Sequence, residues 1–518
     1  MEEGISRSER IKRDQSIPGE KITNANVENT SKGQSNPIGL YRFGRTKICI
    51  PLSKEMLDEK IIGKYLPEIL SKHQKNVSDY NHLHDVYCGK QHIWQKERPY
   101  QKTKQNYVVV ENHAFAQVEF KKGYMFGNDV KYSCADDSAS TDDISWLNKY
   151  MKDQKKAKKN VDLAEDIYKA GVGRRMILPK SNQNYDIRRN APFDIYNLDF
   201  NSSFVVYSSN YTHEKLFGGV ITQIDSKNPN EEKYELMIYD HQYSYRYMCG
   251  SDGIYLINPK FIDKYRHYVG MPLIVEYTLN KSQIGIIEVV ETIHDAINTI
   301  SSNTVDNVAD IVNSLLVFYN MEATADDIKE LLAAGGINAN NDNPQKQADV
   351  KYLVNALNNT DVNTKYESLV TLEYDLVGVP RASTTITSGG DTGQARLLGG
   401  GWSRADVVAS QDEISLKEGE MEMLEICIAI CEKHPDCPIN EIYPCDIEIN
   451  FNRNKNDNLL VKTQSLQNLI GMNMPKETAL NIVGVTANPH EVAAEWETHV
   501  EEKENRDLQK ENTEKIDK

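Results

Sequence analysis

No stretch of this 518-residue chain reaches 18 uninterrupted apolar residues, which excludes a transmembrane helix. The opening residues, Met1 to Gln15, are charged throughout and lack an apolar run, so no secretory signal is expected. Cysteine is scarce. Eight thiols are ordinary for a reducing compartment and too few for a disulfide scaffold. An excess of positive charge is also missing: 60 Lys and Arg against 76 Asp and Glu leave a formal net charge of −16. That balance excludes the broad basic surface by which most sequence-independent DNA binders hold phosphate. The length exceeds what one compact core accommodates and predicts several structural units.

Catalytic signatures are equally thin. Ser388-Gly389-Gly390-Asp391-Thr392-Gly393-Gln394 has the glycines of a phosphate-cradling loop, but it lacks the lysine and sets an aspartate where phosphate would lie. Gly63-Lys64 and Gly89-Lys90 lack both the following hydroxyl and the upstream glycine. There is no HExxH, EF-hand or G-x-S-x-G pattern, and no cofactor-binding signature. Cys427, Cys431, His434, Cys437 and Cys445 cluster, yet they lack the paired C-x2-C knuckles that fix tetrahedral zinc. Cys427 and Cys431 sit four apart in an apolar run and read as buried thiols. No catalytic residue and no metal site is assigned.

What is present is mostly architecture. Residues 1–36 are polar and aperiodic and read as a mobile tail. From Ser53 to about Ser78 apolar residues recur at helical spacing. Short strands are expected over roughly 90–280, including Tyr107–Val110, Phe204–Tyr207, Gly218–Ile224, Tyr234–Tyr239 and Leu273–Tyr277. Lys149 to Lys159 carries six lysines and reads as a solvated helix face; a helix over Val161–Ala170 and a strand over Arg175–Leu178 follow. Between Ile286 and Val312 neither Gly nor Pro occurs, and one apolar stripe marks a helix about 40 Å long. A small α/β piece follows, with strand Leu315–Tyr319, helix Ala325–Ala334 and strand Val350–Leu357. A second helix, Val362–Leu376, stops before Pro380. Arg381 to Gly401 is a glycine- and hydroxyl-rich loop. Ser403 and Asp406 then suggest a capping box opening a helix that runs to His434-Pro435. A strand over Asp446–Phe451 and further helices, one started by Pro475, complete the chain before an acidic end.

This order of helix out, small knob, helix back, Gly/Thr loop and long spine resembles the portal (connector, or head-to-tail connector) proteins of tailed bacteriophages, of the siphophage type. Local sequence carries the likeness from about residue 50 to 497. Gly270–Tyr277, Asn280-Lys-Ser282, Glu288-Val-Val290, Asp295–Asn298 and Ser302-Asn303 look like entry into the family's first stem helix. Thr371–Pro380 and Thr387–Gln394 look like its second stem helix and tunnel loop. Asp446–Asn454 and Pro475–Leu480 resemble the approach to its crown, and Pro192-Phe-Asp194 with Phe204–Ser208 its wing. The lysine-rich segment has no place in that pattern.

The resemblance implies an α+β multidomain fold: α/β wing, helical stem, small α/β clip and helical crown, forming a ring. It implies a disordered tail over 1–40, wing over 41–283, stem over 284–314, clip over 315–360, stem over 361–380 and tunnel loop over 381–402. Spine and wing then occupy 403–457, crown 458–500 and a flexible acidic tail 501–518. The ring, by the same resemblance a dodecamer, would stand at a capsid vertex in the virion, after assembly in the bacterial cytoplasm, with no membrane. Double-stranded DNA would pass through it without sequence specificity. Partners would be the terminase large subunit, then a head–tail adaptor, with scaffolding and major capsid proteins during assembly. Expected DNA-facing residues are Arg381, Thr384, Thr385, Thr387, Ser388, Gly389, Gly390, Thr392, Gln394 and Arg396. Asp326, Asp327, Lys329 and Glu330 would form the docking surface of the clip. Val290, Ile293 and Ile297 are expected to pack between subunits, because their stripe has no evident partner within one chain. The competing functional class is a packaging enzyme, a nuclease or ATPase, which isolated catalysis would reveal.

Overall fold

The computed structural model describes residues 41–98, 105–135, 141–180, 185–224, 233–251, 256–312, 315–319, 349–353, 359–381, 401–439, 442–453 and 459–484, with helical residues again between 492 and 500. The chain divides into two units, Met1–Phe43 and Gly44–Lys518, and the fold below is that of the second.

In chain order the strands are β1 (Ile48–Ile50), β2 (Lys131–Cys134), β3 (Val172–Pro179), β4 (Phe193–Leu198), β5 (Ser203–Ser208), β6 (Lys215–Ile224), β7 (Lys233–Tyr239), β8 (Tyr243–Ser251), β9 (Leu256–Arg266), β10 (Ile274–Thr278), β11 (Leu315–Tyr319), β12 (Asp349–Leu353) and β13 (Ile447–Asn450). The longer helices are α1 (Glu59–Tyr87), α2 (His113–Phe126), α3 (Thr141–Asp153), α4 (Lys156–Ala170), α5 (Ile286–Val312), α6 (Asn359–Val377), α7 (Trp402–Glu432), α8 (Leu459–Gly471) and α9 (Lys476–Val483). The architecture is mixed α+β.

Strands β5 to β9 form an antiparallel meander, and β1 adds alongside β5 in parallel. Helix α1 lies on this sheet, burying Ile62, Leu66, Ile69 and Leu70 against Phe204, Leu216, Phe217, Leu236 and Tyr245. It begins at Glu59, later than Ser53, because Asp58 supplies the cap, accepting from the Glu59 N–H at 2.6 Å. It runs on to Tyr87 because Val77, Leu83 and Val86 continue the buried face.

The larger core gathers α2, α3, α4, the start of α5, and α7 around the sheet β10-β3-β4. Of these, α4 contains the helix expected over Val161–Ala170, whereas α2 and the first part of α3 stand where short strands are expected. The second half of α7 buries Met423, Leu424, Ile426, Cys427, Ile428, Ile430 and Cys431 and leaves a strip with Glu418, Glu425 and Glu432 exposed, so most of that half is enclosed. Its start differs from the expected capping box. Gly401, in the left-handed region at φ 81°, is the N-cap with no side-chain cap. Asp406 instead accepts from Tyr124 Oη at 2.7 Å and pairs with Arg453 at 2.9 Å.

The lysine-rich segment is a solvated face in the main, with Lys149, Lys152, Lys155 and Lys158 exposed and Lys159 half-buried, but Lys156 departs from it. Lys155, at φ 51°, breaks the chain between α3 and α4, and Lys156 turns inward, 4% exposed, to pair with Glu420 of α7. Glu420 also accepts from Tyr132 Oη and, at 3.0 Å, from Tyr277 Oη. Arg175 completes the group, held by Asn160 at 3.0 Å and Asn197 at 3.1 Å. Burial alone would raise the Glu420 pKa, but Lys156 and Arg175 outweigh it and hold the carboxyl below the usual range.

Candidate functional site

Helix α5 keeps its predicted bounds of 27 residues. Val290 and Ile297 are buried within the chain itself and Ile293 is half-buried, so the expectation that this stripe lacks an internal partner does not hold. The reason lies on neighbouring elements: α1, α2, α4 and α6 all pack against α5.

A polar ladder runs down the helix beside that stripe. Asn298 Oδ1 accepts from the Glu111 N–H at 2.8 Å, Ser302 Oγ from the Val109 N–H at 3.0 Å, and Asp306 Oδ1 from the Tyr107 N–H at 2.8 Å. Four helical residues rise about 6.0 Å and two extended residues about 6.6–6.8 Å, so the two repeats stay in step. Tyr107–Val110 is therefore not a sheet strand. Its alternate backbone donors are satisfied by helix side chains. Asp306 also pairs with Lys96 and with Arg98 at 2.7 Å. These partners, with the Tyr107 N–H, overcome burial and hold its carboxyl below the usual range.

Helix α6 runs antiparallel to α5, as two bridges show. His294 Nδ1 is 3.0 Å from Glu373 Oε1, and Glu111 joins Ser301 to Tyr366. Glu373 is fully buried and also takes Gln117 Nε2 at 3.1 Å and His113 Nδ1 at 2.8 Å. Burial would raise its pKa, but the two imidazoles more than offset that and lower it.

At one end of this helix pair β11 and β12 form an antiparallel ladder, from Leu315 opposite Leu353 to Tyr319 opposite Asp349. Strand β12 covers the start of the expected Val350–Leu357; the rest of that strand, the expected helix Ala325–Ala334, and Asp326, Asp327, Lys329 and Glu330 lie outside the described residues. At the other end α6 stops at Gly378, whose φ of 66° suits glycine, with the Val379 N–H bonded back to Tyr374 O at 3.0 Å. Arg381 turns back onto α6, pairing with Glu367 at 2.7 Å and donating to Thr371 Oγ1 at 3.4 Å. The chain re-enters at Gly401, where an added Cβ would stand 3.5 Å from Pro380 Cα. Pro380 and Gly401 are thus neighbours, and Thr384, Thr385, Thr387, Ser388, Gly389, Gly390, Thr392, Gln394 and Arg396 lie outside the described residues.

Apolar side chains are left uncovered along this structure: Val289, Val305 and Val308 on α5, Leu372 and Leu376 on α6, and Val407 and Ile414 on α7. Val308 is 58% and Ile414 73% exposed. Sequence reasoning missed the ladder, although Asn298, Ser302 and Asp306 stand four apart and could have been read as one polar stripe. Among the described residues no helix is long and apolar enough to cross a membrane.

No curated protein matches this chain. The sequence does match, over residues 66–506, the family described as phage portal protein, SPP1 Gp6-like. That span takes in α5, α6, the β11/β12 ladder and α7, so the chain belongs to the phage portal protein family.

Proposed function

We propose that this chain is the subunit of a ring-shaped channel at one capsid vertex, through which double-stranded DNA is packaged and later ejected. The family is structural rather than enzymatic, which agrees with the absence of a catalytic signature in the sequence. The observation that carries the reading is the antiparallel pair α5/α6. It has a strand ladder at one end, the neighbouring Pro380 and Gly401 at the other, and uncovered valines and leucines between. Such a face is completed by a neighbouring copy, and a repeated head-to-tail contact closes into a ring.

In this reading α5 and α6 are the stem, and residues 315–360 are the clip that docks the terminase large subunit and then the adaptor. The wing comprises 41–283 with 403–457, and 458–500 is the crown. Residues 381–402 reach into the channel. A net charge of −16 suits a conduit, since a wall that gripped one phosphate charge per about 1.7 Å of duplex would stall it. Assembly with scaffolding and major capsid proteins follows from the same position. Subunit contacts move from the buried Val290 and Ile297 to the exposed Val305, Val308, Leu372 and Leu376.

Native mass spectrometry of the purified chain, with imaging of the particles, tests the reading; closed rings are expected, and a stable monomer would overturn it. Replacing Gly389, Gly390 and Gly393 with proline should leave rings intact and reduce the DNA that heads retain. Normal filling and retention would reduce 381–402 to a connector.

A further inference from the structure

Helix α5 buries a carboxylate that the chain satisfies by half. Glu291 is 2% exposed; its Oε1 lies 2.6 Å from His82 Nε2, while Oε2 is buried with no hydrogen-bond partner. A buried anionic oxygen without a donor is costly, and its presence asks what electrophile it faces.

Two imidazoles surround the position. His82 comes from the last turns of α1, and His92 from the single turn His92–Gln95 that follows, with ring centroids 5.5 Å apart. One donor atom from each of His82, His92 and Glu291 lies within 4.8 Å of the others. Metal bonds of about 2.0–2.2 Å to nitrogen and oxygen set ligand atoms of a tetrahedral site roughly 3.3–3.5 Å apart, within a small adjustment of that spacing. Asp295, one turn beyond Glu291 on α5, stands 3.0 Å from His92 Nδ1. A carboxylate on one ring nitrogen fixes the tautomer that presents the other to a metal.

A second group, His113, His294 and Glu373, is equally compact. There both oxygens of Glu373 already have donors, from His294, Gln117 and His113, and the atom without a partner is His294 Nε2. No anionic ligand is left over in that group.

We propose that His82, His92 and Glu291 form a site for one divalent transition-metal ion of the zinc class, with Asp295 as the outer carboxylate that orients His92. Imidazole donors select zinc, cobalt or nickel over calcium and magnesium, which prefer all-oxygen sites. His82 and His92 are only partly buried, at 17% and 24% side-chain exposure, so an ion has an entry path. Three protein ligands leave a fourth position for water. The ion fastens α1, which lies on the six-stranded sheet, to the helix α5 that leads away from the body.

The test uses the full-length, tag-free chain, stripped with a chelator and titrated with Co2+ and then Zn2+. One ion per chain is expected, with the visible absorption of four-coordinate cobalt and a higher unfolding temperature with zinc. Glu291→Gln should weaken binding by more than the roughly 10- to 100-fold expected for the outer-shell change Asp295→Asn. His294→Gln should leave it unchanged. His92→Gln, at a more exposed position, gives a second ligand variant if Glu291→Gln fails to fold, and the wild-type cobalt spectrum stands without any variant. Absence of bound cobalt, as when only water fills the gap, would overturn the site. So would unchanged affinity in both Glu291→Gln and His92→Gln, or loss in His294→Gln alone.

Discussion

Around Glu420 the chain buries a carboxylate, an ammonium and a guanidinium together and satisfies them with its own tyrosines and asparagines. Along helices α5 and α6 it uses similar groups to hold an extended segment, and it leaves valines and leucines uncovered. The first region is complete within one chain. The second is complete only on the side that meets the body. A buried ionic cluster with every partner present specifies one arrangement, whereas a helix covered on one face waits for a second surface.

The sharpest break in this comparison is Glu420→Ala. It strands Lys156 and Arg175 in the core, and loss of one partner of a buried pair costs about 3–5 kcal/mol. Chemical denaturation should register that loss, and a change below about 1 kcal/mol would show that water reaches the cluster.

Acid should weaken the body through His73. Burial, helped by the Arg174 guanidinium and opposed by the hydrogen bond to Asn201 O, pulls this imidazole down to about 4 from its ordinary 6.5. The folded state resists a proton that the unfolded state accepts. Stability is therefore intact above about pH 6.5 and falls as pH drops towards 4, by about 3 kcal/mol in all. Unfolding free energy measured against pH should show this slope, and His73→Gln should flatten it.

On helix α5, Asp306→Ala removes the acceptor for Tyr107 N–H and the partner of Lys96 and Arg98. A cost of about 1–3 kcal/mol is expected. It should appear locally, as faster hydrogen exchange at Tyr107, Val109 and Glu111; unchanged exchange would mean the ladder does not hold this segment.

The smallest effect on the chain itself belongs to Val305→Asp with Val308→Asp. At exposed positions the stability change should stay within about 0.5 kcal/mol, yet closed rings should be lost. Rings that form normally would place the subunit contact elsewhere and make the α5/α6 pair as self-contained as the cluster around Glu420.

Much of the fold could be read along the chain because the signals are local. The absence of Gly and Pro between Ile286 and Val312 marks α5, and the Gly/Pro punctuation at Gly378, Pro380 and Gly401 marks the ends of α6 and the start of α7. Three meander strands, β5, β6 and β7, announced themselves by alternation, whereas β8 and β9 did not. The order of helix out, knob and helix back was therefore legible, and with it the family. Other features escaped. Helix α2 was hidden because it buries Gln117 and Lys121 beside Val118 and Met125, which blurs any apolar stripe. Lys156 looked solvated because its partner lies 264 residues away, and Tyr107–Val110 looked like a strand because extended backbone reads alike whether a strand or a helix side-chain ladder receives it.

Sequence by itself determined which segments are helix or extended, the punctuation between them and the acidic balance, because each depends on neighbours a few residues away. Only the tertiary structure decided which charges are buried, which face of α5 is covered by its own chain, and that His82, His92 and Glu291 meet around an unsatisfied oxygen. Those outcomes depend on contacts between residues about 200 positions apart, as from His82 to Glu291, and burial there sets the energy of a charge more strongly than its sequence context does.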